Sequence, residues 1–178
     1  MRSPEEEYLA HMVQEEVDLR AAGIYQPTEA ERRQSFLAHG YLSQVRKYYG
    51  IRSIYYPQCT GETVLETAFS ADEIFYLDNI IRRNDNTRNS VVGDILKPPF
   101  AENTFDAAYV QDIHIHESPE KLDAILALVK QDGILIYGKR DACPSWKQEL
   151  PVLNNSDNLS YIQYPYEDAR FSTYSVRK

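Results

Sequence analysis

Three groups of residues carry side chains whose types and spacing could do chemistry. Asp78 closes the run Glu73 to Asp78, and Asp94 follows Gly93 at the end of a second short run. A carboxylate at a strand end can accept two hydrogen bonds at once. The plain alternatives are an Asp78 that caps a helix from Asn79 onward and an Asp94 that serves as a turn residue. Pro57-Gln58-Cys59-Thr60-Gly61 follows the apolar run Ser53 to Tyr56. Its glycine lets the backbone pass close to a ligand, but an ordinary turn capped by Thr60 also accounts for it. Asp112, His114 and His116 share one face of an extended segment, and such a set suits zinc or iron. A metal hydrolase would need further ligands. The other two histidines, His11 and His39, lie in the N-terminal stretch, so the expectation is a chain without a metal site. No Ser–His–Asp or Cys–His arrangement can be specified.

The elements that must position these groups follow from periodicity. Ile51 to Asp94 reads as strand, turn, helix, strand, link and strand. Pro57 has no N–H to give a sheet and should end the first strand. Thr63, Val64, Leu65, Ala68 and Phe69 can form one apolar face of a short helix. Strand–helix–strand units of this kind imply a parallel sheet with ligands beyond the carboxyl ends of its strands, where the Pro57–Gly61 turn, Asp78 and Asp94 all lie. Phe105 to Val110 reads as a further strand. Ser118-Pro119-Glu120 opens a helix whose apolar positions Leu122, Ile125, Leu126 and Val129 have helical spacing; Gly133 should end it, and Ile134 to Tyr137 is a buried strand. Residues 139–158 read as irregular, with one helical turn around Trp146 to Leu150. Tyr161 to Tyr164 and Phe171 to Val176 read as an antiparallel hairpin.

Before this, Ser3-Pro4-Glu5-Glu6 and Thr28-Glu29-Ala30-Glu31 are two capping boxes, and the second opens a stretch that closes at Gly50. Residues 1–50 are therefore a helical extension and 51–178 the sheet domain. The extension is read as a cover for the sheet in preference to a lid.

Composition narrows the function classes. The chain has 178 residues, 43% hydrophobic and 26% charged, with a net charge of −8. These values fit a folded domain. An acidic chain repels phosphate backbones and anionic membranes unless a basic patch is segregated, so charge gives no support to a nucleic-acid partner without excluding one. Arg82, Arg83 and Arg88 form a short basic cluster broken by Asp85. Cys59 and Cys143 give neither a metal spacing nor a disulfide framework, and the start of the chain has no apolar leader. The expectation is a reduced cytoplasmic protein with a small-molecule substrate or a protein partner and no membrane association.

The order of elements from residue 51 onward resembles the class I S-adenosylmethionine-dependent methyltransferases, in particular their small type 11 members. GDILKPPFAENTFDAAYV resembles the family's Gly-Asp, Pro-Phe loop and Phe-Asp strand opening. QDIHIHESPEKLDAILALVKQDGILIY resembles the following turn, helix and glycine turn into the fifth strand. The resemblance implies a Rossmann-like α/β fold with a mostly parallel seven-stranded sheet and an antiparallel last strand. It implies S-adenosylmethionine as cofactor. Asp78 would take the ribose hydroxyls, and Asp94 with the Ile95 N–H the adenine. Pro57, Gln58, Cys59 and Gly61 would line the amino-acid end, and Gln111 the methionine part. Asp112 and His114 are the best-placed proton acceptors, and Cys143 and Trp146 fall where some members contact substrate. Only Gly61 stands for the family's glycine-rich turn, and tyrosine holds its acidic position. Two functions follow as expectations: methyl transfer to a small-molecule acceptor, or a binding or scaffolding module on a fold that has lost its cofactor.

Overall fold

The computed structural model describes residues 29–57, 64–78, 89–111, 113–139, 145–163 and 170–177. The first capping box therefore lies outside the described residues. Helix α1 is Glu29–Tyr49. The strands are β1 Ile54–Pro57, β2 Ile74–Asp78, β3 Ser90–Val92, β4 Phe105–Val110, β5 Val129–Gly138, β6 Leu159–Ile162 and β7 Phe171–Val176. Two further helices, α2 Glu120–Leu128 and α3 Trp146–Asn154, flank β5 in the chain. The strands form one seven-stranded sheet in the order β3-β2-β1-β4-β5-β7-β6. Every pairing from β3 to β5 is parallel, and β7 runs antiparallel to both β5 and β6. This is the expected mostly parallel sheet with an antiparallel last strand.

Side-chain alternation divides the core between the two faces of the sheet. Ile54 and Tyr56 of β1 join Ala107, Tyr109, Ile134 and Ile136 in a layer covered by α1, where Leu42 and Val45 are fully buried. Tyr55, Leu77, Ala108, Leu135 and Tyr137 face the other way, onto α2 and α3. Gly40 does not break α1, since the helix runs on past it. Arg46 fastens α1 to the sheet: its guanidinium donates to the Ala68 carbonyl at 3.1 Å and to Glu73 Oε1 at 2.5 Å. Burial opposes the charge on Glu73, but hydrogen bonds from Ser70 and Arg46 outweigh it and hold the carboxyl below its ordinary range.

Four local expectations are corrected. The described part of the short helix after the Pro57 turn is one 3-10 turn, Leu65–Thr67. Thr67 Oγ1 donates to the Val64 carbonyl at 2.7 Å, a local bond that competes with helix continuation. Ser118 does not cap α2. Pro119 holds the cap position, and the Ser118 hydroxyl donates to Glu120 Oε1 at 2.5 Å. Helix α2 ends at Leu128, and the stretch Lys130–Gly133, expected as its terminating turn, is a bulge inside β5. Phe105 pairs with Val129 and Ala107 already pairs with Ile134. Asp132 takes a φ of 61° there, and a Cβ on Gly133 would meet the Asp106 carbonyl oxygen at 2.9 Å, so the bulge needs glycine. Finally, the segment read as one helical turn is the nine-residue α3. Its hidden signal is the helical spacing of Trp146, Leu150 and Leu153, interrupted by Glu149 and Pro151.

Candidate functional site at the carboxyl edge of the sheet

The sheet order reverses direction at β1, which lies between β2 and β4 in the interior of the sheet. Connections leave the two sides of such a point in opposite directions, and a crevice opens beyond the carboxyl ends of the strands. Those of the expected site residues that the structure describes fall along this edge. Pro57 ends β1 and is buried, in register with Leu77 of β2. Asp78 ends β2, in register with Val92 of β3. Gly93-Asp94-Ile95 leaves β3, and Gln111 follows β4. Gln58, Cys59, Gly61, Asp112 and Cys143 lie outside the described residues.

Asp94 is exposed, and its Oδ1 accepts the Leu96 N–H at 2.9 Å. Its own carbonyl accepts the Lys97 N–H at 3.0 Å. This is a turn closed by an aspartate, so the carboxylate is held in one orientation with Oδ1 already engaged. Ile95 behind it is buried against Leu77 and Tyr55.

Tyrosines line the α1 side of the same edge. Tyr56 and Tyr76 are register partners on β1 and β2, with ring centroids 5.9 Å apart. Tyr109 of β4 meets Tyr56 edge to face at 5.0 Å, and its hydroxyl donates to Gln111 Oε1 at 2.5 Å. The Tyr76 hydroxyl donates to Glu66 Oε1 at 3.2 Å. Tyr56, where the resemblance would place an acid, is a ring in this aromatic row and 1% exposed.

On the other side of β4 the histidines reach a residue that sequence reading passed over. His114 and His116 sit between β4 and α2, with ring centroids 5.8 Å apart. His114 takes a φ of 54°, a conformation that places consecutive side chains differently from the extended run assumed for it. Glu149 of α3 is fully buried beside them, with His116 Nδ1 3.7 Å from its Oε1, and the Tyr137 hydroxyl donates to its Oε2. The sequence signal was a charge on the apolar stripe of a helix: Trp146, Glu149, Leu150 and Leu153 share one face. Trp146 is half-buried against the same core, and Lys147 Nζ lies 5.7 Å over its ring.

No protein-family model and no curated protein sequence matches the chain. Solved structures do. The N-methyltransferase NodS from Bradyrhizobium japonicum is 15% identical; the match covers 83% of this chain and 97% of that one, with a TM-score of 0.55. A SAM-dependent methyltransferase from Aquifex aeolicus is 14% identical over 76% of this chain and 88% of that one, with a TM-score of 0.52. What these proteins share with the chain is the fold, that of the class I S-adenosylmethionine-dependent methyltransferases. Among the described residues no helix is long and apolar enough to cross a membrane.

Proposed function

We propose that the protein is an S-adenosylmethionine-dependent methyltransferase acting on a small-molecule acceptor. The observation that carries this is the alignment of the ends of β1, β2 and β3 beside the point where the strand order reverses. Two acidic residues there suit a nucleoside, one for a diol and one for an exocyclic amine. In this reading Asp78 accepts from the ribose hydroxyls. Asp94, oriented by its own turn, accepts from the adenine amino group, and Ile95 offers its N–H and an apolar wall. Pro57, Gln58, Cys59 and Gly61 border the amino-acid end, and Gln111 the methionine part. The cofactor supplies a methyl group already activated on sulfur. The chain's task is to hold the acceptor in line with that group and keep water out, so no base is assigned. The acidic net charge of −8 favours a small acceptor over a nucleic acid.

A specific observation favours a second reading, a binding module that has lost the cofactor. Tyr56 is buried where the family's acid would be, so no charge from that position reaches the amino-acid end. A thermal-shift titration with S-adenosylmethionine, backed by calorimetry, decides between them. Saturation at about 100 times the dissociation constant should stabilise the fold by about 2.7 kcal/mol. Asp78→Ala should lower the affinity by at least about a hundredfold, the loss of two charge-assisted hydrogen bonds, and leave the unliganded melting temperature unchanged. Absence of any shift or heat with the unaltered chain would reject methyl transfer in favour of the module.

A further inference from the structure

We propose that His114, His116 and Glu149 form a binding site for one divalent transition-metal ion of the zinc class. Glu149 is 0% exposed. Its Oε2 takes the Tyr137 hydroxyl, while its Oε1 is buried with no hydrogen-bond partner. The atom facing that oxygen, His116 Nδ1, is also buried and also without a hydrogen-bond partner. Two orphaned polar atoms confronting each other are unusual in a folded interior, because each has given up water for nothing.

Their separation, 3.7 Å, is too long for a hydrogen bond. It is close to the ~3.4 Å that separates two ligands of one tetrahedral ion with bonds of about 2.1 Å. A ring nitrogen of His114 completes the set, and the three ligand atoms lie within 4.8 Å of one another. A small contraction around an ion brings all three into its shell. The remaining nitrogen of His116, Nε2, is 3.7 Å from Glu117 Oε1.

Two imidazole nitrogens and one carboxylate oxygen suit zinc, whereas calcium and magnesium prefer an all-oxygen shell. Three protein ligands leave a fourth position for water. The ion would tie the segment after β4 to α3, and its charge would compensate the buried carboxylate. The rival occupant is a proton, giving an imidazolium of His116 paired with Glu149 and no metal. The site is independent of the methyl-transfer reading, because metal binding is measured without cofactor or acceptor.

The test uses the full chain without a histidine tag, stripped with a chelator and titrated with Zn2+ alone against a chromophoric competitor. One ion per chain is expected, and Co2+ in its place should give the strong visible absorption of a four-coordinate site. His114→Asn, His116→Asn and Glu149→Gln should each weaken zinc binding by at least about tenfold. Tyr137→Phe, which removes only the group orienting the carboxylate, should weaken it by about tenfold to a hundredfold. Should Glu149→Gln fail to fold, the His114 and Tyr137 variants and the cobalt spectrum carry the result. Failure of the unaltered chain to bind zinc, equal binding by the variants, or a cobalt spectrum like that of the hydrated ion would each overturn the proposal.

Discussion

Gly138 shows how tightly one position at the carboxyl edge is specified. A Cβ built on it would lie 2.2 Å from the Tyr109 hydroxyl and 2.8 Å from Gln111 Oε1. These two atoms are hydrogen-bonded to each other, and the Tyr109 ring abuts Tyr56. Gly138→Ala must therefore push the Tyr109 ring out of the aromatic row. Overpacking of this kind costs about 1–3 kcal/mol. Urea denaturation should show a lower midpoint with an unchanged slope. Adding Tyr109→Phe removes the nearest of the clashing atoms, so Gly138→Ala should cost less in the Tyr109→Phe background than in the unaltered chain. A full, undiminished loss in the double variant would mean that the Tyr109 hydroxyl is not what makes this position glycine. The sequence shows only a glycine after an apolar strand here. Its reason lies on β4, across the sheet, where no local pattern reaches.

Asp106 does for the elements what Gly138 does for a side chain. Its Oδ2 accepts the N–H groups of Arg52 and Ser53 at 2.9 and 3.1 Å, and its Oδ1 takes Lys130 Nζ at 2.7 Å. One carboxylate thus fixes the entry to β1, the start of β4 and the bulge of β5. Burial opposes its charge, but the Lys130 ammonium and the backbone donors outweigh that and depress it below its ordinary 3.8. A carboxyl held lower in the folded chain than in the unfolded one stabilises above the unfolded value. That contribution disappears as pH falls through the depressed folded value. Asp106→Asn should cost about 1–2 kcal/mol at neutral pH, allowing for solvent around a partly exposed pair. The gap between the variant and the unaltered protein should begin to close below about pH 5. A gap that stays constant to pH 2 would assign the stabilisation to shape alone.

The same element scale marks what periodicity can and cannot reveal. Helix α2 and strands β4, β5 and β7 were legible because Leu122, Ile125 and Leu126, or Ile134 to Tyr137, carry the period of their element on consecutive turns. The β5 bulge was not, since Lys130-Gln131-Asp132-Gly133 has the composition of a turn and only pairing with β4 makes it strand. Helix α3 was obscured by Pro151, which cannot donate to the helix, and by Glu149 on the apolar stripe. Of the candidate sites, Asp78 was readable as a strand end and Asp94 as a turn residue just beyond one. The partnership of His116 with Glu149 was not, because it joins two different connections at the same edge of the sheet.

At the scale of the whole molecule, the carboxyl edge has two halves, and the two proposed ligands address different ones. The nucleoside reading uses the ends of β3, β2 and β1 together with Gln111 after β4. The metal reading uses the segment after β4 together with Tyr137 of β5 and α3, on the face of the sheet opposite α1. Ligands that bind only the folded state suppress local opening where they bind, so amide hydrogen exchange should map two footprints. S-adenosylmethionine should slow exchange at Asp94 to Lys97 and at the end of β2, with little change in β6 and β7. Zinc should slow exchange at Ile113 to Glu117 and through α3, with little change at Asp94. If one footprint alone appears for both ligands, the two halves form a single site. If zinc protects α3 while S-adenosylmethionine protects nothing, the fold has kept its metal clamp and given up the nucleoside.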